Sequence, residues 1–187
     1  MILFITRKHP PAVGGMEQLS YQLTQGVAAR TPARIIAWGG SQKLLPLFLI
    51  YATAASLWTI LSQPVRVVHV GDIVLAPLGR FLQLLTRRRI VVTAHGLDII
   101  YPHPLYRRVV LPAARRLDHV VCISEHARDL CLARGFDPAR LLVIPVGIEP
   151  QTPPTLSEEE QAAWLAEWNL TPRPRRLLLT VGRLVRR

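Results

Sequence analysis

Two adjacent glycines, Gly14-Gly15, stand between an apolar run, Ile2-Leu3-Phe4-Ile5-Thr6, and a helical periodicity that starts at Met16. The first N–H groups of a helix have no carbonyl partner, and the helix dipole is positive there. A glycine loop at that point therefore suits a phosphate or another anion. The same Gly-Gly also serves as a tight strand-to-helix turn with no ligand, in which one residue takes a positive φ. His95 and Asp98 follow a second apolar run, Ile90 to Ala94, and Gly147 follows a third, Leu141 to Ile144. A histidine at a strand end either handles a proton near neutral pH or hydrogen-bonds within the fold. Asp98, three residues on, reads as a turn or cap residue as readily as a reacting one.

These residues meet only if the surrounding elements bring their strand ends to one edge. After the first strand, Met16 to Arg30 places Leu19, Leu23, Val27 and Ala28 near one helical face. Ala33 to Trp38 reads as a second strand closed by Gly39-Gly40, Val65 to Val70 as a third, and Ile90 to Ala94 as a fourth. Between the last two, Ile73 to Leu85 has Leu75, Leu78, Leu82 and Leu85 at helical spacing. Leu105 to Leu117 is helical, and Pro112 kinks or divides it. His119 to Ile123 is a fifth strand. Ser124 N-caps a helix running through Leu132, Gly135 stops it, and Leu141 to Ile144 is the sixth strand. Strands alternating with helices predict an α/β fold, a doubly wound parallel sheet with helices on both faces. Its C-terminal edge gathers the Gly14-Gly15 loop, His95 and Gly147, where open sheets of this kind hold ligands.

One segment resists assignment. Leu44 to Leu61 carries no charged residue, and eighteen residues at ~1.5 Å each reach about 27 Å as a helix, near the thickness of a bilayer core. Thr53, Ser56 and Thr59 form a weak polar stripe. Its position between two strands favours a packed helix. A helix lying in a membrane interface and a true span are the competing readings.

The formal charge is +11, from 23 basic and 12 acidic residues, so an anionic partner is expected: a phosphorylated small molecule or an acidic lipid surface. Aromatic residues do not alternate with the arginines, which argues against a base-stacking platform, and no nucleic-acid partner is expected. Arg87-Arg88-Arg89 suits a helix C-terminus, and Arg107, Arg108, Arg115 and Arg116 cover one side of a helix. The two cysteines, Cys122 and Cys131, form no CxxC pair and cannot make a zinc site alone; Cys122 in a strand reads as a small buried hydrophobe. The first residues lack a charged leader ahead of a long apolar run, so a cytoplasmic location is expected.

Composition shifts at Pro150. The expected divisions are a Rossmann-like unit over 1–149, a linker with an acidic helix (Ser157 to Trp168) over 150–176, and a new strand opening a second α/β domain over 177–187.

In that order, several motifs resemble one family. They are Pro11-Ala12-Val13-Gly14-Gly15-Met16-Glu17, Thr93-Ala94-His95-Gly96-Leu97-Asp98, the turn at Ser124, Pro145-Val146-Gly147-Ile148-Glu149 and Val181-Gly182-Arg183-Leu184-Val185. The chain is similar to the N-terminal domain, plus the first strand of the C-terminal domain, of family 4 glycosyltransferases with the GT-B fold. Val146 departs from the pattern, since asparagine usually precedes that glycine. The resemblance implies transfer of a sugar from a nucleotide-sugar donor to a carbohydrate or lipid-linked acceptor, with retention at the anomeric carbon. It implies that the Gly14 and Gly15 amides and the Arg183 guanidinium meet the diphosphate, that His95 lies near the transferred sugar, that Asp98 shapes its loop and that Gly147 belongs to the site. Neither a metal nor a cofactor is implied beyond the donor. The family's Lys-Gly, nucleotide pocket and E-x7-E pair would follow residue 187, so a partial chain that cannot turn over donor alone is expected. The alternatives are a non-enzymatic module on the inner face of the cell membrane and a dinucleotide oxidoreductase. The oxidoreductase is disfavoured because the first loop lacks GxGxxG and no acid ends the second strand.

Overall fold

The computed structural model describes residues 1–147, 155–170, 178 and 180. The chain divides into two compact units, Met1–Gly147 and Ile148–Arg187. In the first unit, β1 (Ile2–Thr6), β2 (Ala33–Ala37), β3 (Val67–Val70), β4 (Arg89–Ala94), β5 (His119–Cys122) and β6 (Leu141–Val143) form one sheet in the order β2-β1-β3-β4-β5-β6. Every neighbouring pair is parallel. The helices between them are α1 (Gly15–Ala28), α2 (Leu45–Ser62), α3 (Ala76–Thr86), α4 (Leu111–Arg115) and α5 (Glu125–Ala133). The α/β, Rossmann-like doubly wound sheet read from the sequence is the fold observed.

The chain runs outward from β1 to β2, then crosses back over β1 to reach β3. Right-handed crossovers in opposite directions place α1 on one face and the later helices on the other. Side chains alternate along each strand, so Leu3, Ile5, Val68, Val70, Ile90, Val92, Val120 and Cys122 enter one core. Above it, α2 packs on β1, β2 and α3, and α3 packs on α4. Phe4, Thr6, His69, Thr93 and Val121 point to the opposite face, beside Leu19, Leu23 and Thr24 of α1. The sheet order reverses between β1 and β3, and that reversal opens a crevice at the C-terminal strand ends.

Proline sets two departures from the sequence reading. The predicted helix from Ile73 begins as a 3₁₀ turn, Ile73–Leu75, and becomes α-helical only at Ala76, with Pro77 in its first turn. Pro112 divides the helix predicted over Leu105 to Leu117. Lacking an N–H, it cannot bond the carbonyl four residues back. The preceding stretch, Tyr106–Val110, widens into a π-turn in which Leu111 N–H donates to the Tyr106 carbonyl, and α4 follows.

The uncharged segment is α2, a packed helix with Phe48, Ala52, Ser56, Thr59 and Ile60 turned inward. The polar stripe therefore faces the core. Thr53 and Thr59 satisfy their hydroxyls on the Leu49 and Ala55 carbonyls, each at 2.7 Å. Ser56 is 0 % exposed, and its Oγ has no hydrogen-bond partner among the described residues.

Cys122 and Cys131 are both buried and unbridged, with their sulfurs 4.0 Å apart. In the second unit, α6 (Glu158–Glu167) opens with a capping box. Ser157 Oγ accepts the Glu160 N–H at 3.2 Å, and the Glu160 carboxylate accepts the Ser157 N–H at 2.7 Å. The expected linker segments 151–154 and 171–176, and the strand over 177–181 apart from residues 178 and 180, lie outside the described residues.

Replacing Ser56 with alanine removes a buried hydroxyl without a partner and improves helix propensity. Ser56→Ala is expected to stabilise the protein by about 1 kcal/mol, read as a higher urea midpoint with an unchanged slope.

Candidate functional site

The crevice is assembled by the residues that leave β1 and β3. Thr6 ends β1; its hydroxyl donates to the Lys8 carbonyl at 3.1 Å and accepts the Ser20 hydroxyl at 2.9 Å and the Lys8 N–H at 3.2 Å. Gly71 ends β3 against it. A Cβ on Gly71 would lie 2.8 Å from Thr6 Oγ1, so only glycine lets the two strand ends approach this closely. The next residues form ion pairs. Arg7 Nε lies 2.9 Å from the carboxylate of Asp72, which is 1 % exposed. Lys8 Nζ lies 3.0 Å from Glu17 in the first turn of α1. Together they fix the β1 loop to β3 on one side and to α1 on the other.

His95 leaves β4 into the same crevice. Its Nε2 sits 3.0 Å from the Gly71 carbonyl. A carbonyl only accepts, so Nε2 carries the proton and a neutral ring keeps its lone pair on Nδ1. Asp98 folds back on the same loop and accepts the His95 N–H at 2.9 Å and, more weakly, the Ile73 N–H at 3.5 Å. Gly96 permits this tight return, with φ of +98°. Burial raises the Asp98 pKa above the ordinary carboxylate value, opposed by the nearby His95 charge and the two backbone donors. Asp98 is thus placed as a loop clamp.

Two further side chains complete the walls. Tyr106, delivered by the π-turn, is 8 % exposed, and its Oη has no hydrogen-bond partner among the described residues. Burial, then Asp98 and Asp72, push its pKa up, so the phenol stays protonated. His69 on β3 lies 2.9 Å through Nε2 from Thr93 Oγ1. Burial, then the His95 charge, lower its pKa to about 4, which keeps it neutral.

A cavity of about 730 Å3 is lined by Arg7, Gly15, His95, Asp98, Tyr101 and Tyr106, among others. A second, of about 260 Å3, opens on the α1 face of the sheet and includes His69, Gly71, Thr93, His95 and Gly147. Gly14 lines a separate hollow with Gly15 and Pro10 to Val13. Gly15, His95 and Asp98 therefore share one cavity, Gly147 meets His95 in the next, and Arg183 lies outside the described residues. No group of three His, Cys, Asp or Glu side chains among the described residues is arranged to hold a metal.

The glycine pair departs from the turn reading. Gly14 is extended, at φ 169° and ψ 166°, and the positive-φ glycines are Gly96 and Gly135. A Cβ on Gly15 would meet nothing within 4 Å. Backbone conformation does not demand glycine at Gly14, and packing does not demand it at Gly15. No hydrogen bond among the described residues engages the Gly14 or Gly15 N–H.

Sequence reasoning missed Arg7, Asp72, Tyr106 and His69. Arg7 and Asp72 had a usable signal: each stands one or two residues beyond a strand end at the reversal of sheet order. Tyr106 had none, because its inward position depends on a π-turn that no periodicity announces.

Residues 3–147 match the family model described as glycosyl transferase 4-like domain. Among solved structures, Anabaena HepE in complex with UDP-glucose is similar at a TM-score of 0.63 and 14 % identity, over 91 % of this chain and 50 % of that one. HepE in complex with UDP gives 0.61 and 14 %, over 90 % and 50 %. The apo lipopolysaccharide outer core galactosyltransferase WaaB gives 0.55 and 13 %, over 81 % and 47 %. The chain thus spans about half the length of these structures, and at such identity the likeness establishes the fold. No curated protein sequence matches the chain.

Two measurements probe the site's electrostatics. Asp72→Asn leaves Arg7 beside a neutral group; since Arg7 retains some solvent, the expected cost is about 2–3 kcal/mol, and adding Arg7→Met should recover part of it in a double-mutant cycle. The lowered His69 pKa means that the unfolded chain takes up a proton between pH 6.5 and about 4 that the folded chain refuses. Stability is therefore level above pH 6.5 and falls as pH drops towards 4, by about 2 kcal/mol for a ring that keeps some exposure. Urea titrations across that range should show the fall, and His69→Gln should flatten it.

Proposed function

The chain belongs to the glycosyl transferase 4-like domain family, and from that membership we propose that it forms the acceptor-side half of a retaining family 4 glycosyltransferase of the GT-B type. Its donor is a nucleoside-diphosphate sugar, and its acceptor is a carbohydrate or a lipid-linked carbohydrate at the cytoplasmic face of the membrane. One observation carries the reading. The Gly14 and Gly15 amides at the mouth of α1 are unengaged among the described residues, and Gly15 opens on the cavity that His95 lines. Departure of the nucleoside diphosphate builds negative charge on its leaving oxygen, and fixed N–H donors at a helix N-terminus stabilise that charge without reorganising.

In this reading the Gly14 and Gly15 N–H groups receive the diphosphate, and the resemblance to the family adds the Arg183 guanidinium as a further diphosphate ligand. His95, its Nε2–H held by the Gly71 carbonyl, offers Nδ1 to a hydroxyl of the transferred sugar. Asp98 keeps the His95 loop in place, and Gly147 lets the chain pass close to the sugar. No metal or further cofactor is called for, because amides and cationic side chains meet the developing charge. The UDP and UDP-glucose held by the HepE structures support a nucleotide-sugar donor. The other half of such an enzyme would supply the nucleotide pocket, so the Rossmann-like unit by itself is expected to bind donor weakly.

Amide NMR tests the assignment directly. UDP and inorganic pyrophosphate should shift the Gly14 and Gly15 resonances, whereas uridine should not. Gly15→Val should leave the melting temperature nearly unchanged, since a Cβ there meets nothing within 4 Å. The valine keeps its N–H, but its branches stand between that amide and an incoming phosphate, and UDP binding should weaken about tenfold if one charge-assisted bond is blocked. Unmoved Gly14 and Gly15 resonances at saturating pyrophosphate would remove the proposal.

A further inference from the structure

The outward side of α2 is apolar from end to end. Leu47, Ile50, Tyr51, Ala54, Trp58 and Leu61 recur at helical spacing and are all exposed, Trp58 at 75 % and Leu61 at 82 %. Only 28 % of the helix is buried. The arrangement inverts that of a water-facing helix, because Ser56 and Thr59 point inward while leucine and tryptophan point out. Its neighbour α3 continues the pattern. Phe81, Leu84 and Leu85 form its exposed stripe, and exposed Arg87 and Arg88 follow the end of the helix. An apolar face of this extent marks an interaction surface.

The charges around it select the partner. Lys43 precedes α2, Arg66 follows it, and Arg87, Arg88 and Arg89 follow α3, all exposed. From Ser41 to Leu97 the one acidic residue is Asp72, which is buried and paired with Arg7. Asp118, just before β5, accepts hydrogen bonds from Gln83 of α3 and from the Ile90 N–H of β4. The face is thus an apolar stripe bracketed by uncompensated cations. A second copy of a chain carrying +11 would be repelled. A spanning orientation is excluded, since Phe48, Ala52 and Ile60 of α2 belong to the core under the sheet.

We infer that α2 and α3 seat this unit on an anionic bilayer surface. The leucines, Trp58 and Phe81 enter the headgroup–acyl boundary, and Lys43, Arg66 and Arg87 to Arg89 meet acidic headgroups. Trp58 and Tyr51 have the apolar body and polar tip that favour that depth. The inference is independent of the glycosyl-transfer reading, because the surface lies on α2 and α3 and includes none of the residues assigned to the donor.

Vesicle flotation of the full chain tests it. The protein should float with phosphatidylcholine vesicles containing phosphatidylglycerol, much less with phosphatidylcholine alone, and less at high salt. Combining Arg66→Glu with Arg88→Glu should weaken binding by at least about fivefold per site. Leu47→Ser, Trp58→Ser and Leu61→Ser together should weaken it at least about tenfold, given the apolar area withdrawn. These side chains are exposed, and unchanged circular dichroism would verify the fold. Brominated lipid should quench the wild-type fluorescence, and Trp58→Phe should lose that quenching while still floating. Three results would each overturn the inference: no flotation with acidic vesicles; flotation indifferent to the apolar triple variant, which is adsorption by charge alone; or a concentration-dependent dimer in sedimentation that the same triple variant dissolves.

Discussion

A carboxylate with almost no solvent sits where the order of the sheet reverses. Asp72 follows directly on Gly71 at the end of β3, and Arg7 reaches it from the end of β1. Leaving either charge unpaired there costs more than a surface pair ever contributes, so the two loops cannot drift apart without a large penalty. The rest of the site is referred to that junction. Gly71 must be glycine for Thr6 to approach, its carbonyl fixes the His95 ring, and Asp98 ties the His95 loop to Ile73, the residue after Asp72. A doubly wound sheet opens a crevice at this place for topological reasons. Here the ion pair and the three loop contacts give the crevice a defined shape.

Much of this was legible in the chain itself, and the residues show why. Each strand is a short β-branched or apolar run bounded by glycine, proline or a charge, and each bound fell within one or two residues of the observed end. Helices were readable where leucines recur at three and four, as in α3, where a cap stands alone, as with Ser124, or where acidic residues open the run, as at Glu158 to Glu160. Proline-bearing segments were less readable. Pro112 announced a break, but the π-turn it imposes, and hence the inward position of Tyr106, depends on how the preceding carbonyls find donors. Likewise α2 showed its length and lack of charge, yet not its rotation. Three hydroxyls at spacing three suggested a wetter side, and packing against β1 and β2 turned that side inward. Thr53 and Thr59 tolerate this because each hydroxyl returns to its own helix backbone, an option that hydropathy does not register.

The glycine pair illustrates a different limit. From sequence, Gly14-Gly15 fits either a strained turn or an anion-binding loop, because both favour a missing side chain. Only coordinates separate the two. The strained positive φ occurs instead at Gly96, where it closes the His95 loop. At Gly15 the backbone is ordinary and the space ahead is open. Strain and packing are thereby removed as reasons for glycine at position 15.

The net charge of +11 allowed two explanations, attraction of a phosphorylated ligand to the site or attraction of the whole body to an acidic lipid surface. The positions of the charges separate the two. The two cations nearest the crevice, Arg7 and Lys8, are committed to Asp72 and Glu17. The donors left for a ligand there are neutral amides, together with the partial charge of the α1 dipole. Of the exposed arginines, Arg66 and Arg87 to Arg89 lie at the start of β3 and β4, at the opposite edge of the sheet and alongside α2 and α3, while Arg107 and Arg108 follow Tyr106. A few well-aimed amides act over hydrogen-bond distance and hold one group in one place. A spread of mobile guanidiniums acts over roughly a Debye length of about 10 Å and orients the whole body towards a negative surface. A composition figure cannot distinguish these two uses of positive potential, whereas their separation to opposite ends of the same strands does.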